Sequence, residues 1–259
     1  MSIVLDEYKW AEKVLREHQI GRKPYETLTR VAKYYTYRKL KKKELRKALE
    51  AFLLSCDPTA SLVLWSDMLD HAMKAASKYP IIMLDGIDIT EKEMAVVDGI
   101  DGRQLKRLAF TLLCVAKYSH AIYEKNEYWV NTPDNEVMAM ANINTSIKRQ
   151  SQMFSQLRDL GLIKFSKRVD NLSVQVLFVD EDGGSVLHIS DFRNLGYQYL
   201  KYHGEPFFVC TECGITEKVK DPAYLSRKKY CDDCAAKIHI KQKVDSVMRI
   251  RERKQNSNC

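Results

Sequence analysis

Cys210, Cys213, Cys231 and Cys234 form the pattern C-x2-C-x17-C-x2-C, the clearest chemical signature in the sequence. Two short knuckles joined by a loop can bring four thiolates to the corners of a tetrahedron around zinc. Four protein ligands fill that shell and leave no position for a catalytic water, so the expected role of the zinc is structural. Redox cysteines or an iron centre would draw on the same four residues. Gly214 suits the tight turn after the first pair, whereas Asp232 and Asp233 make the second knuckle acidic. Other chemistry-bearing residues carry weaker signals. Cys56 and Cys114 sit in apolar helical contexts and read as core, Cys259 is terminal, and His71, His120, His188 and His239 lack ligand spacing. Asp85 and Asp88 read as turn and capping residues rather than as holders of a hard cation.

A second candidate surface lies in "NINTSIKRQSQMFSQLRDLGLIKFSKRVDNLSVQVLFV", Asn142 to Val179, where the apolar period changes from helical to alternating. A helix is predicted from Ser146 to Leu160, capped by Thr145 or Asn144 and stopped by Gly161. At 100° per residue Ile147, Met153, Phe154, Leu157 and Leu160 share one arc, which is expected to pack on the preceding helices. Thr145, Lys148, Arg149, Gln152 and Gln156 share the opposite arc. In a major groove Arg149 and Gln152 could read base edges while Lys148 meets phosphate; a solvated helix face would use the same residue types. Beyond Gly161, "LIKFSKRV", the turn "DN" and "LSVQVLFV" predict a hairpin, with Lys167 and Arg168 placed to touch a nucleic-acid backbone.

Charge is segregated along the 259 residues. The whole chain carries +8, residues 22–47 carry +9 and residues 227–254 carry +6, leaving −7 elsewhere. Lys39, Lys41, Lys42, Lys43 and Arg46 concentrate the first patch; Lys237, Lys241, Lys243, Arg249 and Arg251, with Arg253 and Lys254, spread around a predicted basic helix after Cys234. Such segregation favours an anionic partner, with nucleic acid ahead of acidic lipid or acidic protein. Basic residues all round the terminal helix favour a phosphate-following arm over a membrane-lying one. No apolar run of about 18 residues occurs, and the N-terminus becomes charged too early for a signal peptide, so a soluble cytoplasmic protein is expected.

The elements needed to position these groups are mainly α with a small β component, an α+β chain. Residues 1–98 read as a helical domain, with helices near residues 2–20, two between Tyr25 and Ser55, and one from Ser61 to Lys78. Thr90 and Glu93 are spaced for a capping box. Residues 99–204 open with "QLKRLAFTLLCVAKYSHAIYEK", a helix apolar on most sides, followed by the strand "EYWVN" and a short helix from Asp134 to Ala141. The four-cysteine module then spans 205–236 and the basic tail 237–259.

Leu105–Tyr123, Asp134–Ala141, Ser146–Leu160 and Leu162–Val179 together resemble the winged-helix superfamily, in the order first helix, second helix, recognition helix and wing. "LRDLGLIKF" looks like the helix-to-wing junction of that group, and the cysteine module resembles zinc ribbons. The whole chain is loosely similar to uncharacterised phage and mobile-element proteins of low-GC Gram-positive bacteria. These resemblances imply a DNA-binding protein of a mobile element in a bacterial host cell, acting in replication or transcription regulation. Its partners would be double-stranded DNA and a replication or transcription protein, with a homodimer allowed. Winged helices also serve as protein-interaction modules, which leaves an adaptor or host-inhibitory factor as the alternative. A nuclease is third, since the sequence carries neither a phosphate-binding glycine loop nor a nucleophile motif, and scattered carboxylates would have to converge in space.

Overall fold

Apolar residues recurring at helical spacing build the first part of the chain. The computed structural model describes residues 3–166 and 173–256 and divides into two units, Met1–Ile87 and Asp88–Cys259. Helices α1 (Glu7–Glu17), α2 (Pro24–Tyr37), α3 (Lys42–Cys56) and α4 (Ser66–Lys78) make up the first unit. Its core joins Leu28, Val31 and Ala32 of α2 to Leu45, Leu49 and Phe52 of α3 and to Leu69, Ala72 and Met73 of α4. The break expected around Tyr37 to Lys42 separates α2 from α3. The helix expected to begin at Ser61 begins at Ser66, after turns that leave Val63 and Leu64 exposed. Glu7, buried at the start of α1, accepts bonds from Lys33 Nζ at 2.9 Å and from the Ile82 amide at 3.0 Å, so one carboxylate fastens α1, α2 and the chain beyond α4.

The second unit begins at Asp88, within strand β1 (Ile87–Thr90), and continues through helix α5 (Glu91–Asp98) to α6 (Arg103–Ile122). Every residue of α6 from Leu108 to Ala116 is buried, which accounts for its apolar character on all sides. Around it stand α7 (Asp134–Met140), α8 (Ile147–Asp159), α9 (Leu195–Tyr202) and a three-stranded antiparallel sheet ordered β2 (Trp129–Val130), β4 (Val174–Val176), β3 (Ile163–Phe165). Ile163 faces Val176 and Phe165 faces Val174, so the alternating apolar residues pair across the hairpin. Strand β5 (Ser185–Ile189) pairs with β1. Strands β6 (Phe207–Val209) and β7 (Thr216–Lys218) form a separate antiparallel pair, and the long helix α10 (Asp232–Asn256) ends the described chain. The fold is mainly α with a small β component. Among the described residues no helix is long and apolar enough to cross a membrane.

The capping box read at Thr90 and Glu93 forms, and Glu93 does more than cap. Fully buried, it accepts from the Thr90 amide at 2.8 Å, the Asp180 amide at 3.0 Å and Lys117 Nζ at 2.9 Å, tying α5, α6 and the approach to β5 together. Removing one member of a buried, hydrogen-bonded charge pair leaves the other uncompensated. Glu93→Ala is therefore expected to destabilise the second unit by about 3–5 kcal/mol, read as a lowered midpoint in urea; an unchanged midpoint would contradict this account.

Candidate functional site

Strand pairing builds the cysteine centre. Val209 faces Thr216 across β6 and β7, and the tight turn between them carries Cys210 and Cys213. The Gly214 amide donates to the Cys210 carbonyl at 2.8 Å, and the Cys210 amide donates to the Ile215 carbonyl at 2.9 Å. Gly214 adopts φ +77°, the conformation for which its lack of a side chain suits it. The second knuckle is joined to the first by the Thr211 amide bonding the Lys229 carbonyl at 2.9 Å, and it runs directly into α10, whose first turn contains Cys234. Asp232 and Asp233, puzzling beside a thiolate cluster, occupy that first helical turn, where negative charge complements the helix dipole. Asp232 also pairs with Lys228 at 2.8 Å, which lowers its carboxyl pKa.

All four Sγ atoms lie within 4.8 Å of one another, a group that could hold a metal ion. Cys210, Cys231 and Cys234 are buried and Cys213 is half-buried, in a small core completed by Phe208 and Val219. Burial raises the thiol of Cys210, but amide donors from Cys231, Cys213 and Glu212 outweigh it and bring the group down to about 6. Burial and hydrogen bonds shared with neighbouring cysteines push Cys234 upward, and burial raises Cys231. A metal ion bound there at neutral pH would therefore displace protons from Cys231 and Cys234. Affinity is expected to fall as pH drops, and more steeply below about 6, where Cys210 also holds a proton that the metal must displace. Competition against a chromophoric chelator over a pH series would measure this; a pH-independent affinity would contradict a thiolate site. Cys56 is half-buried and Cys114 fully buried, both apart from this cluster.

Helix α8 carries the second candidate surface. Its N-cap is Ser146, whose hydroxyl accepts from the Arg149 amide, rather than Thr145 or Asn144. Met153, Phe154 and Leu157 anchor one face in the core. Ile147 and Leu160, expected on that face, are instead 81% and 56% exposed, because the core contacts only the middle turns of the helix. Lys148, Arg149, Gln152 and Gln156 are exposed, and with Ser151, Ser155 and Asp159 they line a shallow surface depression. Thr145 is half-buried just before the helix. Gly161 ends α8 at φ +73°, and the chain enters β3 two residues later; Arg158 lies over the Phe165 ring at 5.7 Å and joins the helix to the hairpin. Lys167 and Arg168 lie outside the described residues.

No family model, curated protein or solved structure matches the chain.

The basic residues of the tail and of the first unit are distributed differently. Lys237, Lys241, Lys243 and Arg249 are exposed on α10, and Arg251 lies within the same helix. Ile240, Val244, Val247 and Met248 are exposed beside them. In the first unit Lys39, Lys41, Lys42 and Lys43 are exposed, but Arg46 is held by Glu50 at 2.6 Å and Asp70 at 2.7 Å, clamping α3 to α4. Its role there is that of a structural cation. His188 and Ser185 both contact Asp88 at 3.0 Å; the serine hydroxyl is bonded to the carboxylate and not to the ring, so the three residues fasten β5 to β1 rather than forming a nucleophile and base.

Sequence reasoning missed Asn142 and Asn194. Asn142 sits between α7 and α8, Asn194 caps α9, and both adopt positive φ, +56° and +55°. Their signal was available only as an asparagine at the edge of each helix, a type that tolerates the left-handed region.

Proposed function

We propose that the second unit is a winged-helix module that binds double-stranded DNA, with zinc held by Cys210, Cys213, Cys231 and Cys234 as a structural ion. The observation that carries this reading is the exposed face of α8. Lys148, Arg149, Gln152 and Gln156 converge on one depression while the opposite face is fixed in the core. The order α6, α7, α8 and then an antiparallel hairpin supports it, since a helix so placed can enter a major groove while the adjoining strands meet backbone phosphates. Arginine and glutamine match guanine and adenine edges respectively, and lysine supplies a phosphate contact.

One sulfur pair supports zinc on distance. Tetrahedral coordination with Zn–S bonds of about 2.3 Å separates sulfurs by about 3.8 Å, and Cys213 Sγ lies 3.7 Å from Cys231 Sγ. Bound there, zinc supplies cross-linking of two knuckles and no open coordination position. The protein's residues do the rest: Gly214 lets the first knuckle turn, Phe208 and Val219 share a buried core with the cysteines, and α10 leaves from the second knuckle carrying Lys237, Lys241, Lys243 and Arg249 for phosphates.

Duplex DNA binding measured across a salt series tests the proposal. A steep loss of affinity with salt, with a slope of roughly −0.9 per phosphate contact, supports it; no association at low salt overturns it. A replication or transcription role on a mobile element remains the biological setting that the loose sequence resemblance implies. The exposed apolar residues of α10, from Ile240 to Met248, favour a second reading as a protein-interaction adaptor. On that reading, charge reversal on α8 would leave DNA association unchanged and disrupt a protein complex.

A further inference from the structure

The cysteine module and the turn before α8 are joined by a continuous set of polar contacts. Asn194 Nδ2 donates to the carbonyl of Thr216 in β7 at 2.9 Å, three residues beyond the ligand Cys213. Its other side-chain atom, Oδ1, accepts from Asn142 Nδ2 at 2.8 Å. Asn142 in turn accepts from the Tyr197 amide at 3.1 Å, and its carbonyl accepts from Arg107 of α6 at 3.1 Å. The neighbouring Arg193 donates to the Cys213 carbonyl and also pairs with Asp191. Thus Arg193 and Asn194 grip the first knuckle, while Asn194 and Tyr197 grip the turn from which α8 starts.

The packing at this joint allows little independent movement. A Cβ at Gly196 would stand 2.0 Å from the Ala141 carbonyl oxygen, so α9 lies with backbone against backbone on the end of α7. Both asparagines hold left-handed backbone conformations, a region that asparagine tolerates and that most other side chains avoid. The carbonyls of Cys213 and Thr216 are positioned by the knuckle. A module this small closes around its metal rather than around a large core.

We propose that Asn194 and Asn142 are positioning residues that couple metal occupancy of the four-cysteine site to the placement of α8. Zinc fixes the Thr216 carbonyl, Asn194 transmits that position to Asn142, and Asn142 sets the turn that presents Lys148 and Arg149. This inference rests on the DNA-binding and zinc readings above, and its test separates the three. Asn194→Gly keeps the left-handed backbone and deletes the amide; Asn194→Asp keeps the shape and removes the donor to Thr216. The full chain is loaded with Zn²⁺ or stripped with EDTA, and amide hydrogen exchange is followed by mass spectrometry across Ile143–Gln150. Affinity for random-sequence duplex DNA is measured on the same samples.

In the parent protein, stripping zinc is expected to speed exchange in Ile143–Gln150 and to weaken DNA binding by about 5- to 150-fold. In both Asn194 variants the cysteine module still responds to zinc, but exchange before α8 becomes indifferent to it. By reciprocity, DNA should tighten zinc binding in the parent by the same factor and have no such effect in the variants. Exchange before α8 that ignores zinc in the parent, or that responds equally in the variants, overturns the coupling. A chain that takes up no zinc overturns both the metal reading and the coupling. A chain that takes up zinc but binds no DNA overturns the DNA reading, while the exchange data still decide whether Asn194 joins the two sites.

Discussion

Replacing Cys210 and Cys213 together with serine is expected to abolish metal retention and unfold the module between Phe207 and Cys234. Zinc content after purification without added metal should fall from about one ion per chain to near none. The effect is large because the binding free energy of a structural four-ligand site, on the order of 10–16 kcal/mol in small zinc domains, is the folding free energy of the module. The core around the sulfurs is otherwise limited to Phe208, Val219 and the partly buried Ile215. Limited proteolysis should then cut within residues 211–230 of the variant and leave the first unit intact. A variant that retains metal, or whose cleavage pattern matches the parent, would remove the structural role assigned to these cysteines.

Alanine at Lys148, Arg149 and Gln152 together is expected to reduce duplex DNA affinity by roughly 100- to 1,000-fold. Each lost base-edge pair is worth about 1–3 kcal/mol, and the lost phosphate contact flattens the salt dependence by roughly 0.9 in slope. All three side chains are exposed, so stability should stay within about 0.5 kcal/mol of the parent. The combination of lost binding with an unaltered unfolding midpoint separates contact from folding. Unchanged affinity would move the DNA-binding surface elsewhere on the chain or favour the adaptor reading. Single substitutions refine the assignment: Lys148→Ala should weaken all sequences alike, whereas Arg149→Ala should relax preference at one base pair.

Much of this architecture is legible in local pattern because the deciding forces are local. Gly161 stops α8, and Thr90 and Glu93 form their capping box, since each depends on geometry within a few residues; the two C-x2-C pairs converge across 17 residues, and their repeated spacing is what makes them legible. Ile147 and Leu160 show where that legibility ends. Helical periodicity assigns them to the apolar arc, but burial depends on how far the neighbouring elements extend, and the core covers only Met153, Phe154 and Leu157. Arg46 likewise reads as one more charge in a basic run, yet Asp70, from the next helix, claims it. Asn142 and Asn194 are 52 residues apart, and no spacing rule connects them. Their meeting depends on the docking of α9 against α7.

Cys231 and Cys234 also bear on how α10 comes into being. An isolated helix must order its first turn before any further residue adds favourably, and that start is disfavoured by a factor of about 1,000. Here the sulfur of Cys231 accepts from the Cys234 amide at 3.4 Å, and both residues are held by the same cluster. An ion bound at those sulfurs would act as a nucleus from which 25 residues can propagate, although the rest of the helix has little core to lean on. Chelation would then remove far more helical circular dichroism than the few residues touching metal contain, and the basic arm would exist as a helix only while its root is loaded.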